Sequence, residues 1–138
     1  MAGYSGTPLA TKLGIKAGMT VAALHAPEDL AEWLEPLPDA VSVIERLPKR
    51  ADVIVAFVTA RAHLAKAWPK LTNVVSDEGV IWVCWPKKAS KVPTDMTEDV
   101  VRAVALPTGW VDVKVCAVSD VWSGLKCVLR KELRSPRT

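Results

Sequence analysis

Apolar and polar positions change period several times along this chain, and each change marks an element. Thr7-Pro8-Leu9-Ala10-Thr11-Lys12-Leu13-Gly14 supplies a capping threonine, a proline at the first helical position, a leucine pair four residues apart and a stopping glycine, which predicts a short helix. Gly18 to His25 reads as a strand, and Pro27 to Glu35 as a helix whose Leu30, Trp33 and Leu34 share one face. Val41 to Glu45 alternates weakly and predicts a short, edge-like strand. Asp52 to Val58 is nearly continuous in β-branched and aromatic residues, the pattern of a strand buried on both faces, and therefore belongs at the centre of a sheet. Thr59 is placed to cap a following helix in which Leu64, Ala67, Trp68 and Leu71 recur at helical spacing, with Pro69 expected to kink or restart it.

Asp77-Glu78-Gly79 reads as a turn into a fourth strand, Val80 to Trp85, which breaks into the cationic loop Pro86-Lys87-Lys88-Ala89-Ser90-Lys91. Asp95 with Glu98 three residues later predicts a capping box for a helix that turns Val100, Val101 and Val104 inward and ends at Pro107. Trp110 to Val118 and Val121 to Arg130 are two further strands, and Ser119-Asp120 between them is too short for a parallel return, so they form an antiparallel hairpin. Strand and helix alternate before that hairpin, which predicts an α/β fold: a three-layer Rossmann-like sandwich with a mostly parallel sheet in the order 2-1-3-4-6-5. The joint between strands two and three has only about six residues, where a parallel crossover usually takes a dozen or more, so an antiparallel strand two stays open as an alternative.

Composition narrows this picture. A chain of 138 residues makes one domain, taken as residues 1–131, followed by a basic tail over 132–138. With 50% hydrophobic and 24% charged residues and no long apolar run, no transmembrane helix is expected. Met1 to Gly6 lacks the basic start and apolar centre of a targeting segment, which points to the cytoplasm. Net charge is +3, with Lys126, Arg130, Lys131, Arg134 and Arg137 gathered near the C-terminus and Glu28, Asp29, Glu32 and Glu35 on one early helix. That basic cluster is sparser than a nucleic-acid footprint, so a nucleic-acid adaptor is kept only as a minor alternative. Cys84, Cys116 and Cys127 sit in apolar runs as small buried hydrophobes, not as a metal or redox pair.

Leu13 to Met19 leading into strand one, Val74 to Val83 at strand four and the closing hairpin resemble the class I methyltransferase form of the Rossmann-like fold. More specifically, Tyr4 to Ala10, Trp85 to Ser90, Pro93-Thr94-Asp95 with Thr97 to Arg102, and Val111 to Val118 with Trp122 to Lys126 resemble the bacterial family called domain of unknown function 3052, over roughly Tyr4 to Arg130. That resemblance implies the fold and no activity. One departure from methyltransferases stands out. The turn after strand one, where a cofactor cradle uses glycines, reads Leu24-His25-Ala26-Pro27-Glu28-Asp29, with a proline that has no amide to donate and two carboxylates at the helix start. A standard S-adenosylmethionine or dinucleotide cradle is therefore not expected, and no cofactor is assigned. Glu45, ending strand two, stands where that fold places an acidic residue on a ribose, although it also reads as an ordinary edge charge.

Open α/β sheets bind ligands beyond the carboxyl ends of their strands. Along that edge the sequence gathers His25, Thr59, Arg61, Trp85, Lys87, Lys88, Ser90, Trp122 and Ser123. The two lysines suit a phosphate or carboxylate, Ser90 and the amides near Thr94 and Asp95 suit its oxygens, and Trp85 or Trp122 suits a flat apolar wall. No catalytic constellation is visible: two histidines without a paired carboxylate, no HExxH, no GxSxG and no P-loop. No metal site is expected. The sequence thus leads to a noncatalytic module that binds a small anionic ligand or a partner protein, with a diverged methyltransferase as the alternative. Pairing of two copies through the open hairpin edge is a further possibility.

Overall fold

The computed structural model describes residues 7–134. The Tyr4-Ser5-Gly6 motif and Arg137 of the basic cluster lie outside the described residues. The sheet has six strands: β1 (Thr20–Leu24), β2 (Ser42–Ile44), β3 (Ala51–Phe57), β4 (Val75–Pro86), β5 (Trp110–Ala117) and β6 (Trp122–Leu129). Their order is β2-β1-β3-β4-β6-β5, as the hydrophobic pattern predicted, with β2, β1, β3 and β4 parallel and β6 antiparallel to both β4 and β5. Helices α1 (Leu9–Lys12), α2 (Leu30–Trp33), α3 (Arg61–Val74) and α4 (Glu98–Ala105) complete the described chain, with short 3-10 turns at 88–90, 106–108 and 131–133.

β2 runs parallel to β1 despite its short connection to β3. Geometry permits this because β2 has only three residues. Retracing it and crossing two strand spacings needs about 14 Å, whereas six extended residues reach about 20 Å. Leu47 of that connection packs on the same face as α3, as a right-handed crossover requires.

Alternation along the central strands sorts two cores. Ile54 and Ala56 of β3 with Ile81, Val83 and Trp85 of β4 face α3 and α4, meeting Leu64, Trp68, Leu71 and Val101. Val53, Val55 and Phe57 with Trp82 and Cys84 face α1 and α2, meeting Ala10, Leu13, Leu30 and Leu34. Tryptophan is the main aromatic filler on both sides, and its polar nitrogen is satisfied where it is buried. The Trp82 indole donates to the Leu13 carbonyl at 2.9 Å, and the Trp68 indole to Thr108 Oγ1 at 2.9 Å.

Several local expectations are corrected. Asp77-Glu78-Gly79 is not a turn but part of β4, which begins at Val75 and bulges against β3 where Ala51 pairs Val75 and Val53 pairs Val80. Proline does not interrupt α3, which runs through Pro69. Thr59 does not cap α3: Ala60 holds that position, and the Arg61 amide donates to the Asp95 carboxylate at 2.7 Å instead. Asp95 is thereby used elsewhere, and Thr97 caps α4, accepting from the Val100 amide at 3.2 Å. Residues 131–133 form a turn, and the Arg134 guanidinium donates to the Leu129 carbonyl at 3.0 Å, so the start of the expected tail is folded onto β6. Among the described residues, no helix is long and apolar enough to cross a membrane.

Candidate functional site

The chain leaves β1 in one direction to form β2 and crosses back to form β3, so sheet order reverses between β1 and β3. Above that reversal, at the carboxyl ends of the parallel strands, lies a cleft of about 720 Å³. Its walls come from Leu24 of β1, Ala56 and Phe57 of β3, Leu47 of the crossover, and Leu64, Ala67 and Leu71 of α3. Volume and apolar lining both fall in the range of small-molecule sites. His25, Thr59, His63, Lys66, Lys70 and Trp122 supply its polar and aromatic rim.

His25, Thr59 and Trp122 are thus the predicted site residues that the fold brings to one cleft. His25 is exposed and adopts φ of 54°, a left-handed conformation unusual for a residue with a Cβ. Trp122 is half-buried and held edge-on to Phe57, with ring centroids 5.0 Å apart. Glu45 directly follows β2 and is exposed, two residues before Leu47 of the cleft wall.

The other candidates are positioned differently. Trp85 is 7% exposed and belongs to the core under α3 and α4, so it offers no wall at the edge. The Ser90 hydroxyl donates to the Lys87 carbonyl at 2.6 Å, which closes the lysine loop on itself. Thr94 donates to the Thr59 carbonyl at 2.6 Å and accepts from the Met96 amide at 3.0 Å. Together with the bond from Arg61 to Asp95, this laces segment 94–96 to the start of α3. These groups serve the fold. Ser123 lies within β6, paired between Trp85 and Ala117. Lys87 and Lys88 follow β4 on the same sheet edge, with the Lys87 amide bonded to the Val121 carbonyl at 2.7 Å, but neither lines the cleft.

Sequence reasoning missed His63, Lys66 and Lys70. Their spacing of three and four residues places them in one stripe along α3, a signal hidden because each also reads as an ordinary solvated helix position. No thiol joins the rim: burial pushes the Cys84 thiol up, with Cys116 adding to the effect, and burial pushes Cys127 up to about 12. A thiolate nucleophile is therefore not available from either.

A second hollow, of about 880 Å³, opens on the α1 and α2 side of the same edge. It is bounded by α1, α2 and the β5–β6 turn, and Trp122 lines both hollows.

No protein-family model matches the chain, and no curated protein matches it in sequence. Solved structures do match its fold. An S-adenosylmethionine-dependent methyltransferase from Aquifex aeolicus aligns over 86% of this chain and 86% of its own, with a TM-score of 0.60 and 15% identity. Aeropyrum pernix fibrillarin with natively bound S-adenosylmethionine aligns over 87% of this chain and 73% of its own, with a TM-score of 0.58 and 12% identity. Magnesium protoporphyrin IX methyltransferase from Synechocystis with bound S-adenosylmethionine gives 88%, 74%, 0.57 and 8% for the same quantities. At these identities the likeness establishes the fold, a Rossmann-like sheet of the methyltransferase kind. It also corrects the expectation of a noncatalytic module. That expectation took the scaffold as chemically empty, whereas nearly the whole chain superposes on methyltransferases and favours the diverged-methyltransferase alternative.

Proposed function

We propose that the chain is a diverged S-adenosylmethionine-dependent methyltransferase that holds its methyl donor in the cleft above β1 and β3. The observation carrying this reading is the position of that cleft, at the reversal of strand order, in a fold shared with proteins that contain bound S-adenosylmethionine. The apolar walls suit an adenine ring, and Glu45 suits the ribose hydroxyls.

The missing glycines weigh less than the sequence alone suggests. S-adenosylmethionine has no pyrophosphate, so it does not need an amide nest at a helix N-terminus, and the one-turn α2 would have little dipole to offer. The left-handed bend at His25 supplies the tight turn after β1 that glycine gives elsewhere. Asp29 lines the second hollow, not this cleft, and so leaves the donor site clear of its charge.

The reading includes membership of the bacterial domain-of-unknown-function-3052 family and residence in the cytoplasm, a reducing compartment that suits three free cysteines. Calorimetric titration with S-adenosylmethionine and its demethylated product tests it. Binding at micromolar concentration is expected, weakened about tenfold or more in Glu45→Gln, in line with losing a hydrogen bond to a charged acceptor. Absence of heat with either nucleoside at millimolar concentration would reject the reading.

A further inference from the structure

The second hollow differs from the donor cleft in charge. Asp29, Glu32 and Glu35 line it from α2 and the residues that flank it, and Asp120 faces in from the β5–β6 turn. Lys12 is the one cation among its described lining residues. The donor cleft has the opposite balance, with Lys66 and Lys70 and no carboxylate in its lining. Trp33 and Trp122, both half-buried, add aromatic faces to the acidic hollow. At its base Ser119, 6% exposed, accepts hydrogen bonds from the Val121 and Trp122 amides at 3.1 Å each, which holds the hairpin turn and Asp120 in place.

This combination selects a class of ligand. Carboxylates at intervals of three residues address positive charges spaced along a chain, and indole faces attract alkylammonium groups while covering the methylenes between them. A carboxylate or phosphate ligand would be repelled. We infer that the acidic hollow is the methyl-acceptor site and that its acceptor is a flexible aliphatic amine carrying more than one ammonium group. This inference rests on the donor reading above, and Trp122, shared by the two hollows, is where the two substrates meet. In the transfer, the amine gives up a proton to a carboxylate of the hollow or to water. Its lone pair forms the new N–C bond as the C–S bond of the sulfonium breaks, and the donor leaves as a neutral thioether.

Spermidine is a suitable probe, titrated into the full chain with and without S-adenosylhomocysteine. Spermidine should bind, and Glu32→Gln with Glu35→Gln should weaken it about tenfold, as expected for two solvated ion pairs, while S-adenosylhomocysteine binding stays unchanged. Both positions are exposed, so the double variant should fold, and its unaltered thermal midpoint verifies this. The inference falls if spermidine gives no heat, if the double variant binds it as tightly as the parent, if an equal charge of magnesium displaces it, or if S-adenosylhomocysteine competes with it. The nucleoside titration alone decides the donor reading. Nucleoside binding without spermidine binding would therefore remove the acceptor assignment and leave the methyltransferase assignment standing.

Discussion

Arg102 shows how much a single side chain can organise. Its guanidinium donates to Asp112 at 2.9 Å, to Asp99 at 3.0 Å and to Glu98 at 2.7 Å, so one residue of α4 binds its own helix and the edge strand β5. The sequence showed Asp112 and Lys114 alternating with valines and left open a charge pair across the hairpin. Instead Asp112 pairs with the helix, while Lys114 lies opposite Lys126. The hydrogen bond from Arg102 holds the Asp112 carboxyl below its ordinary value of 3.8, partly opposed by desolvation. A carboxyl whose pKa is lower folded than unfolded stabilises the fold above its unfolded value and loses that contribution as pH falls toward its folded value. Urea midpoints measured from pH 6 down to pH 2 should therefore fall less steeply for Asp112→Asn than for the parent. Parallel curves would mean that the pair contributes nothing to acid sensitivity.

At the scale of elements, strand assignments were legible and helix starts were not. β3 and β4 are long uninterrupted apolar runs that fit only a strand covered on both faces, and their neighbours follow from chain order and loop length. Capping depends on which polar group reaches a free amide, and local spacing cannot reveal a donor from 34 residues away. Asp95 illustrates this: it precedes α4 in the sequence yet its carboxylate serves the first amide of α3. The same bond joins the β3–α3 connection, which carries Thr59 of the cleft, to the segment leading into α4. Asp95→Ala should lower stability by about 1 kcal/mol, the usual effect of losing a cap, and should loosen the α3 rim of the donor cleft. Denaturant unfolding measures the first effect. Retention of full stability together with full donor affinity would show that the link is dispensable.

Across the whole molecule, the site is only partly legible in the sequence because it is assembled by crossover. His25, Leu47, Thr59 and Trp122 come from four separate connections or strand ends, and only the sheet order brings them together. That order was readable, so the edge was readable. The depth of the cleft depends on side chains of α3 whose periodicity also fits plain solvent exposure. The same layered construction makes a prediction about dynamics. β3 and β4 lie between two cores, whereas β2 has three residues at one margin and β5 exposes Val113 and Val115 at the other, so opening should be easiest at the margins and hardest at the centre. Amide hydrogen exchange should be slowest in β3 and β4 and fast in β2. Saturating S-adenosylmethionine should then slow exchange at residues 24–26, 45–48 and 57–60, which come from three different connections above β1, β2 and β3, while residues 113–115 of β5 should keep their rate. A uniform slowing that includes β5 would indicate global stabilisation without a defined seat, and protection confined to the β5–β6 turn would place the donor in the acidic hollow instead. Only protection shared by those three connections fits a donor lying across the reversal of the sheet.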